Sequence, residues 1–335
     1  MSDRAQVGVV GCGDVLRVYM AGLQRFPRLA EVVWCSDRDR ERARAAAAAH
    51  GVPRAGSFED LLRDPAVDIV VNLTPPNAHA EVIESAVSAG KHVFTEKPLT
   101  AAVETARQAL ASAASHGVRV GAAPDTFLGA AAQTARAAVD QGEIGEPIGA
   151  VAFATNGRVD AHHPNPGAFF GPGGGPALDV GPYFIAALVN LLGPVATVSG
   201  LSRVGSAIRR VRRDGGGVLE IPVGVDTHAT ASLAFASGAV GTLVASFDIW
   251  DHELPAIEVY GTEGTLAVPY PTRYDGDVRV RRHEDERWHV LEPVLPSVVE
   301  VPREKIRGLG VLDLAQALRG GTQRTSAALA FHTLE

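Results

Sequence analysis

The sequence has little of what disulfide scaffolds and membrane proteins depend on. Only two of its 335 residues are cysteines, Cys12 and Cys35, and each lies in or beside an apolar segment near the N-terminus. Two such thiols do not form a disulfide framework, so we expect a reducing, cytoplasmic location. Gly, Pro or charge interrupts each apolar stretch before it reaches membrane-spanning length, and residues 1–6 lack the features of a signal peptide.

An excess of positive charge is also absent. The chain has 31 basic and 38 acidic residues, a net charge of −7, so no overall field draws it onto nucleic acid or an anionic membrane. One basic cluster precedes Asp214 and three glycines, a pattern that predicts a solvated loop; it comprises Arg209, Arg210, Arg212 and Arg213. We therefore expect a small-molecule partner, with no nucleic acid and no membrane.

Apolar strands and helical segments alternate over residues 1–123, the first predicted domain. Strands are predicted at 7–10, 32–36, 69–73, 92–95 and 118–122. Helices are predicted at 15–26, 38–50, 57–63, 78–89 and 102–116. Because the strands are continuously apolar, this alternation predicts an α/β domain with a doubly wound parallel sheet covered by helices on both faces.

Residues 124–335, the second predicted domain, follow a different pattern. Two helices are predicted, at 130–141 and 183–192. Segments with alternating polarity predict strands at 150–157, 195–202, 228–236, 239–247, 257–261 and 265–268, and Ser237-Gly238 predicts a hairpin turn between two of them. We expect an α+β domain with a large, mostly antiparallel sheet.

The first strand runs directly into a glycine-containing turn. Gly11 and Gly13 keep the first two glycines of the dinucleotide fingerprint, and Leu16 stands at the third position. Glycine allows a tight turn and lets backbone amides approach a pyrophosphate at a helix N-terminus, here near Asp14 and Val15. A glycine pair alone is weak evidence, because it also occurs in purely structural turns.

The second strand ends at a carboxylate, and this strengthens the prediction. Asp37 lies where an acidic side chain can bind the hydroxyls of the adenosine ribose. A carboxylate repels the 2′-phosphate of NADP, which favours NAD, although the neighbouring Arg38 leaves NADP possible.

The chain as a whole resembles the Gfo/Idh/MocA oxidoreductases, the family of glucose–fructose oxidoreductase and inositol dehydrogenase. Five stretches match in order: GCG at 11–13, Asp37, TPPNAH at 74–79, EKP at 96–98 and GGGPALDVGPY at 173–183. Residues 313–332 also resemble the returning helices of that family. The last two motifs are more specific than the glycines, since they are unusual residue combinations.

The resemblance implies roles for the EKP turn. Glu96 and Pro98 shape it beside the nicotinamide, Lys97 points into the substrate cleft, and the Lys97–Pro98 bond is often cis in relatives. Elementary chemistry is compatible with this role of Lys97, because an ammonium group removed from water at the carboxyl edge of a parallel sheet gives up its proton more readily. The alternative is a solvated lysine on a turn.

A second loop is implied to touch the cofactor, through Thr74, Pro75, Asn77 and His79. His79 alone is equally well explained as a residue that begins a helix.

Asp179 and Tyr183 are four residues apart and are predicted on one face of one helix. The family usually has histidine where this chain has Tyr183, and tyrosine holds its proton at neutral pH. We therefore assign proton transfer first to Lys97, with Tyr183 as a hydrogen-bonding partner or relay. Asp179 would hold the substrate hydroxyl or keep Lys97 charged. The structural alternatives are a helix N-cap for Asp179 and a core position for Tyr183.

Further residues are implied at the substrate. Arg158 and His163 lie in a stretch, 158–170, that resembles a substrate roof in one branch of the family, and Asp125 begins the second domain, where it faces the nicotinamide or acts as a hinge. Adjacent histidines at 162 and 163 do not usually bind one ion together, so no metal site is predicted.

Together these features predict an NAD(P)-dependent oxidoreductase that transfers a hydride to or from a secondary hydroxyl of a sugar, sugar derivative or cyclitol, bound between the domains. Two alternatives stay open: glycoside cleavage or epimerisation with transient NAD redox, and a non-catalytic dinucleotide sensor. A homodimer or homotetramer is predicted through the C-terminal sheet, which would otherwise expose a large apolar face.

Overall fold

A computed structural model describes residues 4–161, 163, 165–212, 216–299 and 305–335. The chain divides into two compact units, Met1–Leu128 with Glu304–Glu335, and Gly129–Arg303. The sequence-based boundary, after residue 123 with everything beyond it in the second domain, therefore needs correction, because the C-terminal segment returns to the first unit.

The first unit alternates strands and helices, largely as predicted. Its strands are β1 (Ala5–Val10), β2 (Ala30–Ser36), β3 (Arg54–Gly56), β4 (Ile69–Asn72), β5 (His92–Thr95) and β6 (Val120–Ala122). Its helices are α1 (Asp14–Leu23), α2 (Arg40–His50), α3 (Phe58–Arg63), α4 (His79–Ser88) and α5 (Val103–Ser115), and near the C-terminus α9 (Leu309–Ala317) and α10 (Ala327–Leu334). The short strand β3 was not predicted.

The strands of this unit form one parallel sheet among the described residues, in the order β3-β2-β1-β4-β5-β6. Every residue of β4 is buried, which explains the apolar run over its first three residues. The strand order reverses between β1 and β4, and in such sheets ligands bind beyond the carboxyl ends of the strands at the reversal. The turns that carry the predicted nucleotide residues follow β1, β2 and β4.

Side-chain caps fix where two of these helices begin. Asp39 accepts hydrogen bonds from the amides of Glu41 and Arg42 at the start of α2, so that helix begins two residues later than predicted. Ser57 caps α3 by accepting from the amide of Asp60 at 3.1 Å.

The C-terminal segment joins the first unit through apolar packing, and a buried carboxylate on α9 fixes the chain that leads into α10. Val311 and Leu314 of α9 are fully buried in the apolar cluster that contains Val7. Asp313 is 3% exposed, and its Oδ2 accepts from the amides of Arg324 and Thr325 at 2.7 and 2.9 Å. A domain ending at residue 123 would leave this apolar surface uncovered, which is the physical reason for the corrected boundary.

The second unit begins with a helix and is mostly strands. Its helices are α6 (Ala130–Asp140), α7 (Pro176–Asp179) and α8 (Gly181–Leu192). Its strands are β7 (Pro147–Thr155), β8 (Val195–Arg203), β9 (Ile208–Arg212), β10 (Val218–Pro222), β11 (His228–Phe235), β12 (Val240–Ser246), β13 (Ile257–Gly261), β14 (Gly264–Val268), β15 (Arg279–Arg282) and β16 (His289–Val290). Four of these strands, β9, β10, β15 and β16, were not predicted.

Eight of these strands form a mostly antiparallel sheet in the described part of the chain, in the order β16-β15-β14-β13-β7-β12-β11-β8. In the described part of this sheet, only the β7–β12 pair is parallel. Side chains of α6 and α8, including Ala135, Phe184 and Leu188, share one apolar core with sheet residues such as Val259 and Leu266. This architecture confirms the predicted α+β class of the second domain.

The basic cluster that predicted a solvated loop lies instead on a strand. Arg209, Arg210 and Arg212 belong to β9, which pairs with β10; Arg213, Asp214 and Gly215 lie outside the described residues. Arg209 is 8% exposed, and its Nε donates to Asp160 Oδ2 at 2.6 Å. A buried guanidinium is stable only when it is paired and hydrogen-bonded, and charge counting along the sequence cannot detect a distant partner.

None of the helices within the described residues is long and apolar enough to cross a membrane.

Candidate nucleotide and proton-transfer site

The turn after β1 requires glycine at its first position. Gly11 has φ 95°, and a Cβ placed there would lie 2.7 Å from the carbonyl oxygen of Leu73. Its amide donates to the carbonyl oxygen of Ser36 at 2.8 Å. Gly11 therefore allows the loops after β1 and β4 to approach each other closely, which is a structural need independent of any ligand.

Gly13 is different, because no neighbouring atom restricts the space where its side chain would stand. It is the N-cap of α1 with φ −82°, it is exposed, and a Cβ there would have no heavy atom within 4 Å. No side chain caps α1, so the amides of Asp14 and Val15 at its first turn are available to an acceptor. Open space in front of uncapped amides at a helix N-terminus fits an anionic pyrophosphate.

Asp37 is held in a fixed orientation beyond the end of β2. Its Oδ2 accepts from the amide of Cys12 at 2.8 Å and its Oδ1 accepts from the amide of Asp39 at 2.9 Å. Each carboxylate oxygen keeps a second lone pair, so Asp37 can still accept from ribose hydroxyls. Arg38 next to it is exposed.

Three strands of the first sheet, which are neighbours or nearly so, each end in a buried polar side chain with an atom that has no hydrogen-bond partner among the described residues. Among the described residues, Ser36 Oγ, Asn72 Nδ2 and Thr95 Oγ1 have no hydrogen-bond partner. These residues end β2, β4 and β5, on the sheet edge where the nucleotide is predicted. Such unpaired groups are rare in native proteins and are consistent with a polar ligand at this edge.

The loop after β4 carries the predicted cofactor residues Thr74, Pro75 and Asn77. Asn72 Oδ1 accepts from the hydroxyl of Thr74 at 2.7 Å, which fixes the start of the loop. Pro75 and Asn77 are exposed. Their contact with a cofactor stays a prediction.

His79 is the first residue of α4 and is fully buried. Its Nδ1 lies 2.7 Å from the carbonyl oxygen of Pro98, and its Nε2 lies 2.8 Å from that of Thr74. Both ring nitrogens thus face backbone carbonyls and connect the loop after β4 with the EKP turn. The structural reading of His79 as a helix-start residue is confirmed, whereas direct contact with the dinucleotide stays a prediction.

The EKP turn is fixed from two sides. Glu96 is 9% exposed, its Oε1 accepts from the hydroxyl of Tyr19 on α1 at 2.8 Å, and its Oε2 accepts from the amide of Lys97 at 2.9 Å. The Lys97–Pro98 peptide bond is cis, as the family resemblance implied. Glu96 therefore orients the backbone of Lys97 at the carboxyl edge of the sheet, and the Lys97 side chain is half-buried there.

Asp125 has a structural task that the sequence did not predict. It is fully buried, and its Oδ2 accepts from the amides of Gly308 and Gly310 at 3.1 and 2.9 Å. These amides lie at the start of α9, so Asp125 caps the returning helix. A contact of Asp125 with substrate stays a prediction.

In the second unit, the predicted single helix is interrupted. Asp179 ends the short helix α7, Val180 separates it from α8, and Tyr183 lies in the first turn of α8. Val180, and not Asp179, is the N-cap of α8. Asp179 is half-buried, whereas Tyr183 is 9% exposed and belongs to the apolar core.

Tyr270 is a candidate residue that the sequence analysis missed. Burial and the nearby negative charge of Asp179 raise its pKa to about 12. Its hydroxyl donates to the carbonyl oxygen of Thr155 at 2.9 Å, and its ring packs edge-on against Phe184 at 5.1 Å. The only sequence signal is a tyrosine between two prolines. This signal does not reveal the neighbour Asp179, which lies 91 positions earlier in the chain (270 − 179).

The predicted roof segment follows β7. Arg158 is exposed, and the His163 ring packs edge-on against Phe169 at 4.8 Å; His163 Nδ1 accepts from the amide of Asn165 at 3.1 Å. Substrate contacts of Arg158 and His163 stay predictions, and residues 162 and 164 lie outside the described residues. In the part of the chain that the structure describes, no group of three or more His, Cys, Asp or Glu residues is arranged to hold a metal ion.

Two family profiles match the chain. The profile described as an oxidoreductase family with NAD-binding Rossmann fold matches residues 5–123, and the GFO/IDH/MocA C-terminal domain matches residues 132–267.

Curated relatives include two characterised enzymes. The scyllo-inositol 2-dehydrogenase (NAD(+)) of Bacillus subtilis (strain 168) is 30% identical over 211 residues, which are 62% of this chain and 57% of that protein. The dTDP-3,4-didehydro-2,6-dideoxy-alpha-D-glucose 3-reductase of Streptomyces antibioticus is 32% identical over 244 residues, 70% of each chain. Alignments with two further relatives span 43% and 44% of their length, so this chain matches about half of several curated relatives.

Among solved structures, levoglucosan dehydrogenase in complex with NADH and levoglucosan aligns with a TM-score of 0.82 at 21% identity, covering 99% of this chain and 94% of that one. At this identity the likeness shows the fold alone. The two family profiles and the reductase aligned over 70% of its length identify the family: this chain is a member of the Gfo/Idh/MocA oxidoreductases, and its first unit is an NAD-binding Rossmann fold.

Proposed function

We propose that the protein is an NAD-dependent oxidoreductase that transfers a hydride to or from a secondary hydroxyl carbon of a sugar, sugar derivative or cyclitol. The observation on which this proposal rests is the fixed EKP turn. One carboxylate oxygen of Glu96 accepts a hydrogen bond from the Tyr19 hydroxyl, and the other accepts from the Lys97 amide. The relatives named for scyllo-inositol and a dTDP-sugar support this substrate class.

The residues of the first unit fit the dinucleotide. The uncapped start of α1 beyond Gly13 would hold the pyrophosphate, and the carboxylate of Asp37 would accept from the ribose hydroxyls. When bound, the nicotinamide supplies a carbon that accepts or returns a hydride. Because Asp37 repels a 2′-phosphate, we propose a preference for NAD over NADP.

Lys97 has the chemistry of the proton-transfer group. A hydroxyl that loses hydride from its carbon also loses its proton, and a neutral lysine amine that takes this proton prevents alkoxide charge from accumulating. In the reverse direction the Lys97 ammonium returns the proton to the new alcohol. Glu96 supports this role as a positioning residue, since it fixes the backbone from which the Lys97 side chain extends.

The second unit supplies groups suited to substrate hydroxyls. Asp179 is a half-buried carboxylate, which accepts from hydroxyl groups, and the Tyr183 hydroxyl both donates and accepts. Tyr270 retains its proton because its pKa is raised to about 12, so it stays a neutral neighbour of Asp179 at physiological pH. We assign substrate binding to Asp179 and Tyr183.

The broad sheet of the second unit supports the proposed homo-oligomer. Its outer face contains a depression of about 660 Å³ lined by small and apolar residues, including Ile148, Thr197 and Val240. Ile148 is 54% exposed, Val240 is 63% exposed and Leu201, on the edge strand β8, is 82% exposed. A second copy that covers this face would bury this apolar surface.

The test is a panel of sugars, cyclitols and glycosides assayed with NAD and, separately, with NADP. We expect stoichiometric NADH from at least one free sugar or cyclitol, with slower reduction of NADP. Product formation without net NADH would instead support glycoside cleavage or epimerisation. Tight NADH binding with no turnover across the panel would favour a dinucleotide sensor.

A further inference from the structure

One buried guanidinium of the second unit contacts three separate segments of the chain. Arg209 lies on β9; its Nε donates to Asp160 Oδ2 at 2.6 Å and its Nη2 donates to the carbonyl oxygen of Gly157, and both partners follow β7. Its Nη1 donates to the carbonyl oxygen of Phe247, after β12, at 3.2 Å. The guanidinium carbon also lies 5.6 Å from the ring centroid of Phe170. These contacts use the planar fork and the flat face that distinguish arginine from lysine.

Phe170 and its neighbour Phe169 lead from this guanidinium to two residues proposed at the substrate. The His163 ring packs edge-on against Phe169 at 4.8 Å. The carbonyl oxygen of Phe169 accepts from the amide of Gly175 at 2.8 Å, and Gly175 is the N-cap of α7, the helix that ends at Asp179. Because α7 has only four residues, a displacement of Phe169 would be passed on to Asp179.

We propose that Arg209 is a positioning residue of the substrate site, which holds His163 and Asp179 where they bind the substrate. This inference rests on the proposed function, because that function assigns substrate binding to Asp179. One guanidinium supplies the contacts to all three segments, so its loss would release them together. Substrate binding would then weaken, whereas the proton transfer assigned to Lys97 would keep its chemistry.

The competing explanation is that Arg209 only stabilises the fold. The Asp160 side chain is 6% exposed, so removing the guanidinium alone would leave a buried carboxylate unpaired and destabilise the protein in either case. A double variant, Asp160→Leu with Arg209→Met, removes both charges together, and such apolar replacement of a buried ion pair is often neutral or stabilising. Asp248, whose Oδ1 lies 3.7 Å from Arg209 Nη1, has a side chain that is 30% exposed and can still be hydrated.

The experiment compares the full-length wild type, the double variant and Arg209→Lys, with a substrate found in the panel. The double variant should unfold at a denaturant concentration near that of wild type and bind NADH as wild type does. Its KM for the substrate should rise by about tenfold or more while kcat changes by less than about threefold. Arg209→Lys should also have a raised KM, because an ammonium keeps the charge but lacks the fork and the flat face. Hydrogen–deuterium exchange of peptides covering residues 169–179 should be faster in both variants.

Arg210→Met is the matched control, because Arg210 is the next residue of β9 but is exposed and pairs with Glu220 of β10. It should leave KM and exchange unchanged. A wild-type KM in the folded double variant or in Arg209→Lys, an equal rise of KM in Arg210→Met, or unchanged exchange over residues 169–179 would overturn the proposal. If the double variant does not fold, Arg209→Lys decides by the same criteria. A wild-type protein that turns over no sugar or cyclitol would contradict the proposed function instead, while the exchange measurement would still test whether Arg209 holds this segment.

Discussion

Two glycines of one motif have separate physical tasks in this protein. Gly11 has a positive φ and is in close approach to the loop after β4, so its lack of a side chain is needed by the fold. Gly13 has an ordinary φ and open space on its side, so the fold does not require glycine there, and we propose that its lack of a side chain serves the approach of a ligand. A sequence motif shows both as the same letter.

This difference gives a paired prediction. Gly11→Ala should lower the free energy of unfolding by about 2 kcal/mol or more, because of the positive φ and the contact with Leu73. Gly13→Ala should leave stability nearly unchanged and weaken NADH binding by about tenfold or more, because its methyl group stands before the α1 amides. Denaturant unfolding and NADH titration of both variants are the measurements. Equal loss of stability in the two variants would contradict the separation of roles.

Several residues of the candidate site could be proposed from sequence because their local patterns are distinctive. Gly11 and Gly13 follow a buried strand, Asp37 ends the next strand, and EKP is an unusual triplet. Asp125, Arg209 and Tyr270 could not be assigned, because their partners lie far away in the chain: Gly308, Asp160 and Asp179, respectively. Long-range pairing leaves no periodic signal in a single sequence.

At the level of elements, prediction succeeded where burial is uniform. Strands β4 and β5 were found because they are apolar runs bounded by turn residues, and β5 was predicted with its observed bounds. Strand β13 was found from its alternating polarity, also with its observed bounds. Strands β9 and β10 were missed because, in the described residues, they form a separate two-stranded sheet, and because the arginines of β9 were interpreted as a solvated loop. The break at Val180 was missed because helical periodicity continues across it.

A pH prediction concerns the contact between His92, the first residue of β5, and Arg119, which precedes β6. The pKa of His92 is lowered, first by burial and then by the charge of Arg119, and its Nδ1 accepts from the amide of Arg119 at 2.9 Å. Because the folded state holds His92 neutral, the stabilisation is present above the unfolded value of 6.5 and is lost as pH falls below it.

Hydrogen–deuterium exchange of peptides covering β5 and β6 should therefore be faster in acid, after correction for intrinsic exchange. The faster exchange should correspond to a decrease on the order of 1 kcal/mol in the free energy of opening. His92→Asn places an amide oxygen near the Nδ1 position and does not titrate, so its exchange should show little of this acceleration. Identical acid dependence in the two proteins would rule out His92 as the cause.

At the scale of the whole molecule, the C-terminal segment and the outer sheet face define how the chain is organised. Sequence similarity identified the returning helices, but it did not give the Asp125 carboxylate that anchors α9, or the Asp313 carboxylate that links α9 to the chain before α10. The apolar outer face of the second unit was expected from the predicted sheet, and its exposed residues now identify where association should be tested.

The predicted association depends on that outer face. Leu201→Glu should shift the protein toward monomer in sedimentation velocity, because it places a charge on an apolar interface. Val218→Glu is the control: Val218 is also exposed, at 57%, but lies on β10 of the separate two-stranded sheet. A monomeric wild-type protein, or equal dissociation by both variants, would contradict assembly through the large sheet.

The most direct test of the proposed chemistry is to measure NADH affinity and turnover on the same preparations of wild type, Lys97→Met and Lys97→Arg, with a substrate found in the panel. We predict NADH affinity within about twofold of wild type for both variants, since Lys97 is assigned to the proton and not to the dinucleotide. Turnover should fall by about 10²–10⁴-fold in both, because methionine has no proton to exchange and arginine keeps its proton at working pH. Near wild-type turnover in Lys97→Met would contradict the account.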